Sequence, residues 1–151
     1  MDQESLLREA LEREKEYRWG AAAECYDHVL ESVQVAGSSG MGEVYERLAY
    51  ALYRAAFQAD SSDVFRDKIH GSVLIYGKAK EAYGETNDDS KNQRVLRCDA
   101  MISFCGYWLA SQASEKKKLL CDCWRLAKEA LKGIDESGRA LEYGETYNLL
   151  A

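Results

Sequence analysis

Cys121 and Cys123, which are separated by a single residue, are the residues of this 151-residue chain whose spacing first suggests chemistry. Thiolates bind zinc and act as nucleophiles, so the pair raises the question of a metal or thiol site. The surrounding segment, LLCDCWRLAKEALKG (119–133), has the apolar spacing of a helix. Residues two apart on a helix point about 200° away from each other, so both sulfurs could grip one metal ion only if the helix broke.

The helical spacing predicts a different environment for each thiol. The apolar stripe of the segment is centred on Leu120, Trp124, Ala127 and Leu131. Cys123 lies beside this stripe, and we predict that it packs in the core, as free cysteines often do. Cys121 falls on the flank of the stripe, where a reagent would reach it.

The other cysteines also suit packing. Cys98 and Cys105 lie seven residues apart on one face of an apolar segment, and Cys25 borders a similar face. A zinc site formed by Cys98, Cys105 and Cys123 is the alternative, although the C-x₂₋₄-C pairs typical of zinc sites are missing. Five cysteines without a secretory signal favour reduced thiols.

The remaining candidates form no catalytic group. His28 lies off the apolar stripe and His70 follows Ile69, and spacing brings neither histidine to a cysteine or serine, although a Cys–His nucleophile stays open. Gly71 and Gly77 lie within a predicted helix without a preceding strand, which favours close helix packing over a phosphate-binding loop. We therefore predict that the chain is not an enzyme and has no catalytic residue, cofactor or metal.

Composition narrows the class of protein. Hydrophobic residues make up 46% and charged residues 30%, which favours a globular domain over a disordered chain. A net charge of −6 and a pI of about 5.0 oppose binding to nucleic acid. No apolar run approaches the ~20 residues that a membrane helix needs, and no secretory signal is visible, so we expect a cytoplasmic protein.

The absence of proline favours long helices. Such helices would position the cysteines and histidines named above. We predict an all-α fold of about seven helices, arranged as antiparallel hairpins in one domain, 1–151. The hairpins span about 3–34, 43–84 and 92–133, and an additional helix spans about 136–151. The segments AGSSGMG (36–42) and GETNDDSKN (84–92) supply the breaks between hairpins.

The second helix places an aromatic, two alanines, another aromatic and an apolar pair at Trp19, Ala22, Ala23, Tyr26, Val29 and Leu30. This spacing resembles the second helix of the tetratricopeptide repeat (TPR). Helix three is similar to the first helix of that repeat at Tyr45, Leu48, Ala49 and Leu52. The resemblance covers most of the chain, without the proline that closes each repeat, and it implies a right-handed superhelix of stacked hairpins.

The TPR resemblance also implies a binding surface, because the first helix of each pair lines a concave groove in that family. By position, the groove would contain Glu43, Glu46, Arg47, Tyr50, Tyr53, Asp99 and Ile102. Acidic and tyrosine side chains suit a basic or apolar peptide. The alternative, that Tyr50 and Tyr53 only pack against the next helix, is equally open.

These observations favour a non-enzymatic scaffold that binds a peptide or a partner domain, with no nucleic acid and no membrane involved. The alternative is a ligand-sensing or metal/thiol-containing helical domain that regulates a larger signalling protein. The apolar ending NLLA (148–151) favours a chain that continues in a longer protein. A homodimer through the C-terminal helix is a further hypothesis.

Overall fold

The computed structural model describes residues 2–33, 40–86 and 90–132. These ranges are helical and contain no strand, which confirms the all-α prediction. The helices are α1 (Gln3–Lys15), α2 (Trp19–Val33), α3 (Met41–Ala56), α4 (Ser62–Gly84), α5 (Lys91–Leu109) and α6 (Ala113–Lys132). The additional helix predicted over about 136–151 lies outside the described residues.

Local signals explain where the helices begin and end. Asp2 begins α1 by accepting a hydrogen bond from the Ser5 N–H at 2.8 Å. Gly40 precedes α3 with φ +100°, a conformation that glycine adopts without strain. This helix begins at Met41, two residues earlier than the hairpin boundary predicted from the sequence.

The chain divides into two compact units, Met1–Ala79 and Lys80–Ala151, and the division falls within α4. The single domain, 1–151, stays a prediction. Each unit has its own buried residues, and each is described by itself.

The first unit is built on α2, which packs against both α1 and α3. Its largest fully buried side chains are Tyr26, Val29, Leu48, Ile69 and Tyr76. Buried alanines such as Ala22 and Ala49 let the helices approach closely. The Ser72 hydroxyl of α4 donates to the Ala49 carbonyl of α3 at 2.7 Å, so this buried hydroxyl is satisfied.

The second unit contains the α5–α6 hairpin, whose two helices pack along their length. Ala100, Cys123 and Ala127 form a buried cluster, against which Phe104 and Leu126 pack. The end of α4 joins this unit through an ion pair between Lys80 and Asp99. The Arg94 guanidinium also lies 5.3 Å from the centre of the Tyr83 ring.

The buried face of α6 differs from the stripe predicted from its sequence. Leu120 and Trp124, expected at the centre of the stripe, are 40% and 51% exposed. The buried residues are Cys123, Ala127 and Ala130. The prediction of a central Trp124 was wrong because α6 packs on α5 through small side chains, which bring the two backbones close and leave the Trp124 ring outside.

Two of the helical glycines also differ from their predicted role. A Cβ at Gly77 would meet nothing within 4 Å, and at Gly71 it would meet only the Leu52 side chain at 3.8 Å. Neither position requires close packing. The tight approach lies at Gly106, where a Cβ would come within 3.3 Å of Leu119.

Among residues 2–33, 40–86 and 90–132, no helix is both long enough and apolar enough to cross a bilayer.

Candidate partner-binding surface

The cysteines are distributed as the helical spacing predicts. Cys25, Cys98, Cys105 and Cys123 are buried, and Cys121 is exposed. Within the described ranges, no three side chains of histidine, cysteine, aspartate or glutamate come together in a way that would hold a metal ion. The zinc alternative therefore has no supporting geometry in this part of the chain.

The chemistry of Cys123 follows from its place in the α5–α6 core. Burial raises the pKa of this thiol from 9.0 to about 11. A thiol with this pKa stays protonated at neutral pH, and the protonated form is a poor nucleophile. Cys123 accordingly acts as a small core side chain.

The outer face of α3 carries the five groove residues predicted on this helix. Glu43, Glu46, Arg47, Tyr50 and Tyr53 follow the spacing i, i+3, i+4, i+7 and i+10, which places them on one side of a helix. The buried residues of α3, which include Leu48, Ala49 and Ala55, lie on the opposite side. These five residues therefore share the side of α3 that faces away from its buried residues, and their role in binding stays a prediction.

A row of aromatic rings runs along this face and continues onto α4. We call Tyr50, Tyr53, Phe57 and Phe65 the aromatic row. The centres of the Tyr50 and Tyr53 rings are 6.2 Å apart, those of Tyr53 and Phe57 are 5.2 Å apart, and those of Phe57 and Phe65 are 5.3 Å apart. Tyr50 and Phe57 are 38% and 48% exposed, and Tyr53 and Phe65 are half-buried.

One end of the aromatic row is fixed by Trp19 and Arg54. The Trp19 ring meets Tyr50 edge to face at 5.6 Å. The Arg54 guanidinium lies 4.7 Å from the centre of the Trp19 ring, and it donates to the Tyr50 hydroxyl at 3.0 Å. These contacts hold the Tyr50 ring in place and position a cation of the chain itself over the Trp19 ring.

Arg47 has a structural contact in addition to its place on the outer face. Its Nη1 donates to Glu14 Oε2 at 3.3 Å, and the buried Tyr26 hydroxyl donates to Glu14 Oε1 at 2.6 Å. Glu14 therefore joins α1 to both α2 and α3. An arginine that is already bonded to Glu14 is less available to a ligand, which weakens the prediction for Arg47.

Asp99 and Ile102 belong to the second unit. Asp99 forms the ion pair with Lys80, and Ile102 is half-buried on α5. A carboxylate that is already paired attracts a second cation less strongly. We therefore centre the candidate surface on α3.

Sequence reasoning missed three residues of this surface. Phe57 lies seven residues after Tyr50, so continuing the α3 spacing by one more turn would have found it. Arg54, four residues after Tyr50, had the same signal. Phe65 is brought to the row by the turn between α3 and α4, and no local spacing indicates this.

His28 and His70, the two histidines for which a Cys–His nucleophile was left open, are both exposed. The arrangement on α3 supplies rings, hydroxyls and carboxylates, which suits non-covalent binding of another molecule.

Comparisons of the chain with protein-family models, with curated proteins and with solved structures found no match.

Proposed function

We propose that this chain is a non-enzymatic interaction scaffold that binds a peptide or a partner domain through the outer face of α3. The observation that carries the proposal is the aromatic row, in which Tyr50 of α3 and Phe57, the residue that follows this helix, are exposed. Aromatic rings held in place by their neighbours are typical anchors of protein interfaces, because they bury a large area with little loss of conformational entropy.

The row favours a ligand with an apolar anchor next to basic residues. Arg54 already lies over the Trp19 and Tyr50 rings, so a ligand cation would have to compete for those positions. The exposed Phe57 ring suits an apolar side chain. The net charge of −6 of the whole chain favours lysine or arginine beside that anchor.

The proposal includes a TPR-like, right-handed stack of hairpins in a cytoplasmic protein. The packing of α2 against both α1 and α3 supports it, because each helix of a repeat stack contacts its neighbours in sequence. Buried alanines at Ala22, Ala23 and Ala49, where the repeat has small residues, support it further.

The experiment selects peptides from a displayed random library on the immobilised full chain, and then measures the affinity of the synthesised winners by fluorescence anisotropy. We expect peptides that combine an aromatic or aliphatic residue with lysine or arginine. The double variant Tyr50→Ala/Glu46→Lys should bind them at least about tenfold more weakly, a change of about 1.4 kcal/mol. Phe57→Ser should weaken binding in the same direction.

The control is Leu74→Ser, which removes a more exposed apolar side chain on α4, outside the aromatic row. This variant should bind the selected peptides as the wild type does. Unchanged affinity of the Tyr50→Ala/Glu46→Lys variant for every selected peptide would show that the α3 face is not the binding surface.

A further inference from the structure

Helix α6 exposes an apolar surface that the proposed function does not use. Leu120 and Trp124 lie one turn apart and are exposed, and Leu131 is half-buried. At about 100° per residue, these three side chains fall within an arc of roughly 40° on the helix. We call Leu120, Trp124 and Leu131 the α6 strip.

The charges of α6 are divided between two sides of the helix. Lys117 and Lys128 lie beside the strip, within about 40° of Trp124 on the helix. The carboxylates of Glu115, Asp122 and Glu129 lie on the far side, roughly 140–180° from Trp124. The helix carries six basic and three acidic residues, although the whole chain has a net charge of −6.

Contacts within α6 strengthen this division. Arg125 lies 3.8 Å from Asp122 and 3.7 Å from Glu129, so two of the far-side carboxylates have a basic neighbour. Lys128 instead has its ammonium 4.3 Å from the centre of the Trp124 ring. The exposed apolar strip is therefore bordered by positive charge.

We propose that the α6 strip binds an acidic amphipathic helix of a partner protein. Two apolar side chains one turn apart on such a helix would pack against Leu120 and Trp124. Its flanking carboxylates would meet Lys117 and Lys128. This surface lies in the second compact unit, so the inference is independent of the α3 surface.

The charges argue against other occupants of the α6 strip. A second copy packed strip to strip would bring the same lysines face to face, and like charges repel. A nucleic acid needs several cationic contacts along its phosphates, which a chain of net charge −6 supplies poorly. Single strands also need aromatic rings on which bases stack, and α6 exposes only the Trp124 ring.

The test uses the full chain and two synthetic 16-residue helical peptides with the same leucine face. One peptide has glutamates on its flanks, and the other has lysines. Fluorescence anisotropy should show the glutamate peptide binding at least about tenfold more tightly than the lysine peptide at low salt, with the difference decreasing as salt rises. The variant Trp124→Ser should lose about tenfold or more in affinity for the glutamate peptide.

Two charge variants make the test specific to the strip. Lys128→Glu should reduce the preference for the glutamate peptide or reverse it. Lys118→Glu is the matched control, because this exposed lysine lies about 120° from Trp124 on the same helix and should change the preference little. Circular dichroism checks that each variant keeps the helical content of the wild type.

Several results would overturn the proposal. Equal affinity for the two peptides, or unchanged affinity after Trp124→Ser, would remove the strip as the binding surface. Self-association that Trp124→Ser abolishes, measured by light scattering, would assign the strip to a second copy. Binding of the glutamate peptide only after Glu142→Lys/Glu145→Lys would instead identify the acidic C-terminal residues of this chain as the occupant.

Discussion

At the scale of single residues, Tyr26 combines a buried ring with a hydrogen bond to a carboxylate. Its ring is fully buried, and its hydroxyl donates to a Glu14 carboxylate that also accepts from Arg47. Burial and the neighbouring carboxylate both raise the pKa of this hydroxyl, so it stays a donor at neutral pH. Removing one partner of such a group leaves a charge in the protein interior less satisfied.

We expect Tyr26→Phe to lower the free energy of unfolding by about 1–2 kcal/mol, because Glu14 loses a charge-assisted hydrogen bond while the ring still fills its place. Urea denaturation followed by circular dichroism measures the change. Tyr17→Phe is the control, since the Tyr17 side chain is exposed and its loss of a hydroxyl should matter little. Equal stability of the two variants would contradict the role given to Glu14.

At the scale of helices, periodic apolar spacing predicted the existence of all six described helices and the outer face of α3. The apolar spacing gave the wrong face for α6, because Trp124 is larger and more hydrophobic than Ala127 and therefore determined the predicted stripe. Close packing of the two helices instead buries the smaller side chain. A wheel drawn from hydrophobicity cannot tell a large residue at the edge of an interface from one at its centre.

The candidate surface was predictable to the same extent. Tyr50 and Tyr53 were named because α3 resembles the first helix of a TPR, and their role in binding stays a prediction. The ion pair of Asp99 with Lys80 and the contact of Arg47 with Glu14 join different helices, so only the folded chain reveals them. Local spacing therefore predicted which face is outside, but it did not predict which charges are already engaged.

A substitution within α4 tests the open space around its glycines. Gly77→Ala should raise the free energy of unfolding by about 0.5–1 kcal/mol, because alanine favours the helix and its Cβ would meet nothing within 4 Å. Thermal and urea denaturation measure the gain. The contrasting variant Gly40→Ala should lower stability, since its φ of +100° disfavours a side chain. A destabilising Gly77→Ala would show a close contact at this position.

At the scale of the whole molecule, both compact units bury tyrosine and cysteine side chains, which titrate at alkaline pH. Tyr26 belongs to the first unit and Cys123 to the second. Burial raises the pKa of both groups above the values of 10.0 and 9.0 that they have in water. Since the unfolded chain loses these protons first, stability is complete below pH 9 and falls as the pH rises.

We therefore expect the free energy of unfolding to decrease between pH 9 and pH 11, with a contribution from Cys123 on the order of 2 kcal/mol. Urea denaturation at several pH values measures this slope. Cys123→Ala should reduce this slope, and the remainder should come from other buried groups with a raised pKa, such as Cys25 and Tyr26. Cys121→Ala, which removes an exposed thiol, is the control. A slope that Cys123→Ala leaves unchanged would assign the pH dependence to other groups.

The exposure of Cys121 has a consequence for handling the protein. The other four cysteines are buried, so air oxidation should join two chains through this one sulfur and leave the rest of each chain unchanged. Such a covalent pair would run as a dimer in gel filtration and would vanish with a reducing agent. A dimer observed without reductant is thus a storage product, and only one that persists with reductant bears on association in solution.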